Sequence, residues 1–163
     1  APWASDRATV LKAKVLGRRQ QYDQAVAALD RMLAGAQEGT PKWREAALAR
    51  AEALTGLGQF DAAAAAVRAV IQSADPEDAL TQAQAHNTLG DCLRAAGKPK
   101  DALLAYLHTD ILYPRDKEQH ARALAQIAQL WRTLKQDARA AEVLDRLRQE
   151  YPQSPYLSAA TPR

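Results

Sequence analysis

The strongest constraint on the fold is a repeat that occurs four times with a period of 38 or 39 residues. Each copy has a short polar turn that leads into an alanine, and these alanines are Ala25, Ala63, Ala102 and Ala140. Twelve residues before each of them stands a second small residue: Ala13, Ala51, Gly90 and Ala128. Helices joined by a tight turn approach closely only where both carry small side chains. The pattern therefore predicts four crossing helix pairs.

Large apolar residues keep the same register. On the first helix of each pair they are Leu16, Leu54, Leu93 and Trp131, and on the second Leu29, Val67, Tyr106 and Leu144. They lie at helical spacing from the small residues, which places them on the inward faces. Alanine, the best helix former, dominates the 47% hydrophobic share. Because no segment alternates β-branched or aromatic residues with polar ones, we expect an all-α fold.

The third repeat carries a resemblance to a known family. Asn87–Gly90, Gly97–Ala102, Tyr106 and Pro114 together resemble a complete tetratricopeptide repeat. The first two copies depart from the family because Lys12 and Arg50 stand where a leucine is usual, but Tyr22-Asp23 and Phe60-Asp61 are family-typical turns. The fourth copy closes with Glu150–Tyr156. The resemblance covers about residues 5–152 and implies an α-α superhelix, a solenoid of four antiparallel helix pairs.

We expect a single domain over residues 1–163, and N-cap signals place the repeats within it. The candidates are Thr40-Pro41, Asp75-Pro76 and Asp116, two of them with Pro in the first helical turn. The predicted repeats are 5–34, 41–73, 77–113 and 117–150, followed by a C-terminal tail, 151–163. They are longer than the family's usual repeat. Lengthened repeats of this kind are similar to those of bacterial envelope proteins, which favours a periplasmic or envelope location.

Charge and motif content argue against several classes of function. The net charge is +3 and the signs interleave along every helix, so no basic stripe for nucleic acid is present. No apolar run is long enough to span a membrane. No Ser-His-Asp order, glycine-rich phosphate loop or zinc-helix motif occurs, so we expect no enzymatic activity, metal or cofactor. His86 is interpreted as a hydrogen-bonded core or boundary residue rather than a ligand. Cys92 is interpreted as a buried thiol rather than a nucleophile.

The resemblance implies that the first helices line a concave wall where partners bind. The residues expected on it are Arg7, Val10, Lys14, Glu45, Leu48, Glu52, Gln84, Asn87, Asp91, Arg94, Arg122, Ala125, Gln129 and Arg132. Chaperone-binding members of the family clamp a terminal carboxylate with Lys and Asn. Two of the corresponding places here hold Glu52 and Asp91, which would repel a carboxylate. We therefore expect another partner, which contacts this acidic middle of the wall.

Three functions follow from these features. The leading hypothesis is a protein- or peptide-binding scaffold that uses the concave groove. The alternative is a self-associating structural module, with a homodimer formed through the C-terminal end. There, residues 151–163 are too few to cover the last pair, and Tyr156 is the expected contact. RNA binding is the third, and the acidic Glu45, Glu52 and Asp91 argue against it.

Overall fold

The computed structural model describes the backbone of residues 2–160 and the side chains of residues 6–158 and 160. Within that range the chain forms helices and no strand, which confirms the predicted all-α class. The helices are α1 (Pro2–Arg18), α2 (Tyr22–Ala34), α3 (Pro41–Gly56), α4 (Phe60–Ser73), α5 (Ala79–Ala95), α6 (Pro99–Leu112), α7 (Lys117–Thr133), α8 (Asp137–Glu150) and α9 (Tyr156–Ala160). In the part of the chain that the structure describes, no helix combines the length and the apolar character that a membrane span requires.

Side-chain caps fix where three of these helices begin. The Thr40 side chain accepts a hydrogen bond from the Trp43 N–H ahead of α3, and Asp116 accepts one from the Gln119 N–H ahead of α7. Both caps are as predicted. The prediction of Asp75 as the cap of α5 was wrong, because Asp78 accepts from the Thr81 N–H and the helix begins at Ala79. Asp75 and Asp78 are both suitable N-cap residues by type, and it is Asp78 that caps the helix.

The turn inside each helix pair contains one residue in the left-handed region, and this position also repeats with the 38- or 39-residue period. Gly58 and Gly97 occupy it with φ of 75° and 71°. Gln20 and Lys135 occupy it in the first and fourth pairs, each with φ of 59°. Glycine adopts this conformation without a steric penalty, whereas Gln and Lys pay one. All four pairs therefore share one turn geometry.

The chain divides into two compact units, Ala1–Asp75 and Pro76–Arg163. In the first unit α1 packs on α2, α2 on α3 and α3 on α4, and α1 also contacts α3. The residues at the centre of this packing are Val10, Ala13, Ala25, Leu29, Met32, Ala46, Ala49 and Ala53. Most are alanines, which allow the helix axes to approach closely.

The second unit repeats this arrangement and adds a short helix. Here α5 packs on α6, α6 on α7 and α7 on α8, while α5 also contacts α7. Tyr106 and Ile127 lie in the first part of its core, and Leu124 and Leu147 in the second. The helix α9 packs against α7 and α8. The organisation of residues 1–163 as one domain stays a prediction.

The eight small residues that defined the repeat are buried. Their exposures range from 0% at Ala25, Ala51, Ala63 and Ala102 to 5% at Ala140, and Gly90 is buried as well. The partner positions Leu29, Val67 and Tyr106 are fully buried. The predicted helix crossings are therefore confirmed.

Candidate functional site

The first helices of neighbouring pairs lie side by side in each unit. The contact between α1 and α3 forms one surface, which we call the α1–α3 wall, and the contact between α5 and α7 forms the α5–α7 wall. Both arise because the second helix of one pair packs on the first helix of the next. Most of the residues predicted to bind a partner lie along these two walls.

The α1–α3 wall contains a hollow of about 330 Å³. Its lining residues come from α1, from α3 and from the start of α2, and they are Ala13, Lys14, Gly17, Arg18, Tyr22, Ala49, Glu52 and Ala53. The floor consists of small residues, so a partner's side chain has room to enter. Sequence reasoning identified Lys14 and Glu52 but missed Arg18, although the spacing of Lys14 and Arg18, one helical turn apart, was visible.

Charge at this hollow is uneven. Lys14 and Arg18 are exposed and form no ion pair with any residue that the structure describes. Asp6, the acidic residue of α1, is instead engaged by Lys42 at 2.9 Å. The α1 side of the hollow therefore presents positive charge, while Glu52 lies on the α3 side.

The other predicted residues of the first unit divide by exposure. Arg7 and Glu45 are exposed. Val10 and Leu48 are buried, with 1% and 8% of their surface exposed, and Val10 belongs to the core of the first unit. They support the wall rather than offer a contact surface.

On the α5–α7 wall, Asp91 is already engaged. The Tyr106 hydroxyl donates a hydrogen bond to its Oδ1 at 2.5 Å, and Arg122 donates to its Oδ2. Burial raises the pKa of Tyr106, and the neighbouring Asp91 charge raises it further. The hydroxyl therefore stays protonated and keeps donating. This network was not visible in the sequence, because its three residues come from α5, α6 and α7.

Asn87 is fully buried, although we expected it on the concave surface. Its amide donates to the Gln119 carbonyl oxygen at 2.9 Å and to Gln119 Oε1 at 3.1 Å. Asn87 therefore joins α5 to α7 in this structure. The expectation failed because helical spacing shows on which face of a helix a residue lies. It does not show how much of that face the neighbouring helix covers.

The remaining predicted residues are at least partly accessible, except for Ala125. Arg94 is exposed, while Gln84 and Gln129 are half-buried and Ala125 is fully buried. Arg132 is half-buried and donates to the Ala160 carbonyl oxygen at 2.5 Å. Arg132 thus anchors α9 to α7.

Two of the histidines, His86 and His108, form a stack that the sequence did not reveal. Their ring centroids are 4.7 Å apart and the rings are nearly parallel. The Tyr113 ring also stacks on His86, with the centroids 5.8 Å apart. The Nδ1 atom of His86 is buried without a hydrogen-bond partner in the described structure. Burial and the nearby His108 lower the pKa of His86 to about 4. The boundary location was predicted correctly, but the expected hydrogen bond is not seen at this nitrogen.

His120 is buried where α6, α7 and α8 meet. Its Nε2 lies 2.8 Å from Asp110 Oδ1, and its Nδ1 lies 2.6 Å from the Tyr151 hydroxyl. Arg146 donates two hydrogen bonds to the Asp110 carboxylate. Burial alone would raise the pKa of Asp110, but the hydrogen bonds from His120 and Arg146 outweigh it and lower the pKa. The network ties the third helix pair to the fourth.

Cys92 is 1% exposed, as predicted for a buried thiol. Among the residues that the structure describes, no group of three or more His, Cys, Asp or Glu side chains is arranged to hold a metal ion.

Comparison with known proteins identifies the repeat. One tetratricopeptide repeat family model matches residues 10–79 and again 48–116, and a second matches residues 122–154. No curated protein sequence matched the chain. The matched segments span most of the sequence and overlap all four helix pairs described above. The chain therefore belongs to the tetratricopeptide repeat family.

Proposed function

We propose that this chain is a non-enzymatic scaffold that binds a protein or peptide along the walls of its first helices, with the main contact on the α1–α3 wall. Tetratricopeptide repeats generally mediate interactions between proteins, and proteins of this family are generally non-catalytic. A specific surface, however, has to be argued from the residues of this chain.

The hollow on the α1–α3 wall is the observation that carries the proposal. It combines a floor of small residues with Lys14 and Arg18, two cations that lack an ion-pair partner among the described residues. A concave site with an apolar floor and a few convergent polar groups is the usual form of a binding site. The cations favour a partner segment with an acidic side chain, because water screens an ion pair in a hollow less than one on the open surface.

The α5–α7 wall is less suited to an incoming charge. Asp91 already receives hydrogen bonds from Tyr106 and Arg122, so a basic partner would have to displace one of them. The sequence placed the contact at Glu52 and Asp91 together. We place it at Lys14 and Arg18 instead, with Glu52 at the opposite edge of the same hollow.

The test is a selection of binding peptides from a displayed random library, followed by affinity measurements on variants. We expect acidic peptides to be enriched and the double variant Lys14→Glu, Arg18→Glu to bind them at least about tenfold more weakly, a loss of about 1.4 kcal/mol. The matched control is Lys12→Glu, Arg19→Glu, which changes the charge of the same exposed segment by the same amount outside the hollow.

Three results separate the proposal from its rivals. A loss confined to the Lys14, Arg18 variant supports the hollow as the site. Equal losses in both variants would indicate binding through bulk charge, and unchanged affinity in both would move the site away from the α1–α3 wall.

A further inference from the structure

The outward face of α6 carries an exposed apolar strip, which we call the α6 strip and define by Leu104, Leu107, Ile111 and Leu112. Leu104, Ile111 and Leu112 are 58%, 68% and 59% exposed. They are half of the large apolar side chains that are exposed in the described part of the chain. The outer face of a surface helix is normally polar, and clustered apolar exposure marks an interaction surface.

Two hollows meet at Leu104 and make the strip concave. One, of about 310 Å³, is lined by the α6 strip and His108. The other, of about 590 Å³, extends from Leu104 to Trp131 and Leu134 at the end of α7. We propose that this trough binds the apolar face of an amphipathic helix from another protein, with acidic residues flanking that face.

The spacing of the strip favours a helix as the occupant. Leu104, Leu107 and Ile111 recur at intervals of three and four residues, so they form one ridge along α6. Ridges of this kind interdigitate with the matching ridge of another helix. Recognition of an amphipathic helix by an apolar groove uses anchors at the same intervals.

The size of the strip argues against a second copy of this chain as the occupant. A helix of 14 residues is about 21 Å long and about 10 Å wide. That outward face falls well short of the roughly 800 Å² per partner that a stable complex buries. A single helix lying in the trough needs only this strip and the adjoining hollow, and such a contact belongs to the weaker, transient class.

The charges around the trough are the reason why we expect acidic residues beside the apolar face of the partner helix. Lys100 and Arg139 line the second hollow, and no acidic side chain lines either hollow. Arg139 lies over the Trp131 ring at 4.8 Å, which holds its charge at the rim. Asp101 lies on the first turn of α6 but outside both hollows. A second copy would bring the same cations to the contact, whereas carboxylates beside the apolar face of a partner helix complement them.

The experiment uses two synthetic amphipathic peptides of about 18 residues, or five helical turns, with identical leucine positions. One carries Glu on its polar face and the other Lys. We expect the Glu peptide to bind the wild-type protein and the double variant Leu104→Glu, Ile111→Glu to bind it at least about tenfold more weakly. Leu11→Glu, Val15→Glu is the matched control, because it adds the same two charges and both residues, 56% and 46% exposed, lie on α1.

A second pair of substitutions tests the charge. Lys100→Glu, Arg139→Glu is expected to weaken binding of the Glu peptide and to strengthen binding of the Lys peptide. Circular dichroism checks that each variant keeps its helices, and Leu104→Ser, Ile111→Ser replaces the Glu pair if that pair unfolds. Equal binding of both peptides overturns the proposal, and so does a loss caused by Leu11→Glu, Val15→Glu that is as large as the loss caused by Leu104→Glu, Ile111→Glu. A concentration-dependent dimer that Leu104→Glu, Ile111→Glu abolishes overturns it too, since a second copy would then occupy the strip.

Discussion

Gly90 and Tyr106 pack directly against each other where α5 crosses α6. A Cβ atom at position 90 would lie 2.6 Å from Cζ of the Tyr106 ring. Tyr106 is fully buried and its hydroxyl is held by Asp91, so the ring has little freedom to move aside. The glycine therefore sets how closely these two helices approach.

This contact predicts that Gly90→Ala destabilises the protein, by about 1–3 kcal/mol from overpacking. The higher helix propensity of alanine offsets at most about 1 kcal/mol of this loss in stability. Gly17→Ala is the matched control, because a Cβ there meets nothing within 4 Å and the change should stabilise the chain. Chemical denaturation followed by circular dichroism measures both, and a Gly90→Ala protein as stable as Gly17→Ala would contradict the argument.

The sequence predicted the helix pairs well and the contacts between them poorly, for a physical reason. Gly90 and Ala102 were recognisable because a periodic pattern specifies which face of a helix meets its partner. The ion pair between Asp91 and Arg122 could not be recognised in the sequence, because it depends on the distance between α5 and α7. The His86–His108 stack lies within one pair, between α5 and α6, and it was missed because the periodic pattern does not specify the rotamers of the two rings.

The accessible part of the walls was also only partly predictable. Lys14 and Asn87 were assigned to the same concave surface, yet Lys14 is exposed and Asn87 is fully buried. Helical spacing cannot tell these two apart, since what differs is how deeply the neighbouring helix covers each position.

The shared left-handed turn gives a second prediction. Lys135 has φ of 59°, a conformation that costs a residue with a Cβ about 1 kcal/mol or more. Lys135→Gly should therefore stabilise the protein, by about 0.5–1 kcal/mol once the greater freedom of glycine in the unfolded chain is included. Gly97→Ala should do the reverse, and a Cβ there meets nothing within 4 Å, so any loss comes from the backbone. Thermal denaturation checks both predictions: Lys135→Gly should raise the melting temperature and Gly97→Ala should lower it.

The His86 ring predicts a loss of stability in mild acid. Its folded pKa of about 4 lies below the ordinary value of 6.5, so between these values the unfolded chain binds the extra proton. Stability should therefore fall as the pH is lowered from 6.5 to 4. A shift of this size corresponds to about 3 kcal/mol, reduced to about 1–2 kcal/mol because the half-exposed ring is screened by water. His86→Phe should flatten the profile in this window, and an unchanged slope would show that other groups cause it.

Asp110 gives a fourth prediction, because it is the acceptor that joins His120 to Arg146. Asp110→Asn removes the charge and leaves the 5%-exposed His120 side chain with a weaker acceptor. We expect a cost of about 1.5–3 kcal/mol, typical of hydrogen bonds to a charged group. Asp145→Asn is the control, since Asp145 pairs with Arg148 on the exposed surface and should cost less than about 1 kcal/mol. Similar costs for the two variants would show that the network is no more than a surface ion pair.

The last prediction concerns self-association beside α9. Tyr151, Pro152, Pro155 and Tyr156 help to line a hollow of about 420 Å³ at the end of the α7–α8 pair. The helix α9 covers part of that pair, with Ala160 buried and held by Arg132. An exposed apolar hollow remains, and we expect a concentration-dependent homodimer through it, measured by light scattering. Tyr156→Asp should abolish the dimer.

Because Tyr156 also packs against its own core, Pro152→Asp on the exposed rim is the second variant that should abolish the dimer, with α9 left in place. Substitutions on the α6 strip should leave the dimer intact, since that surface lies on a different helix. A protein that stays monomeric at high concentration would refute self-association through this end, and so would a dimer that both variants preserve.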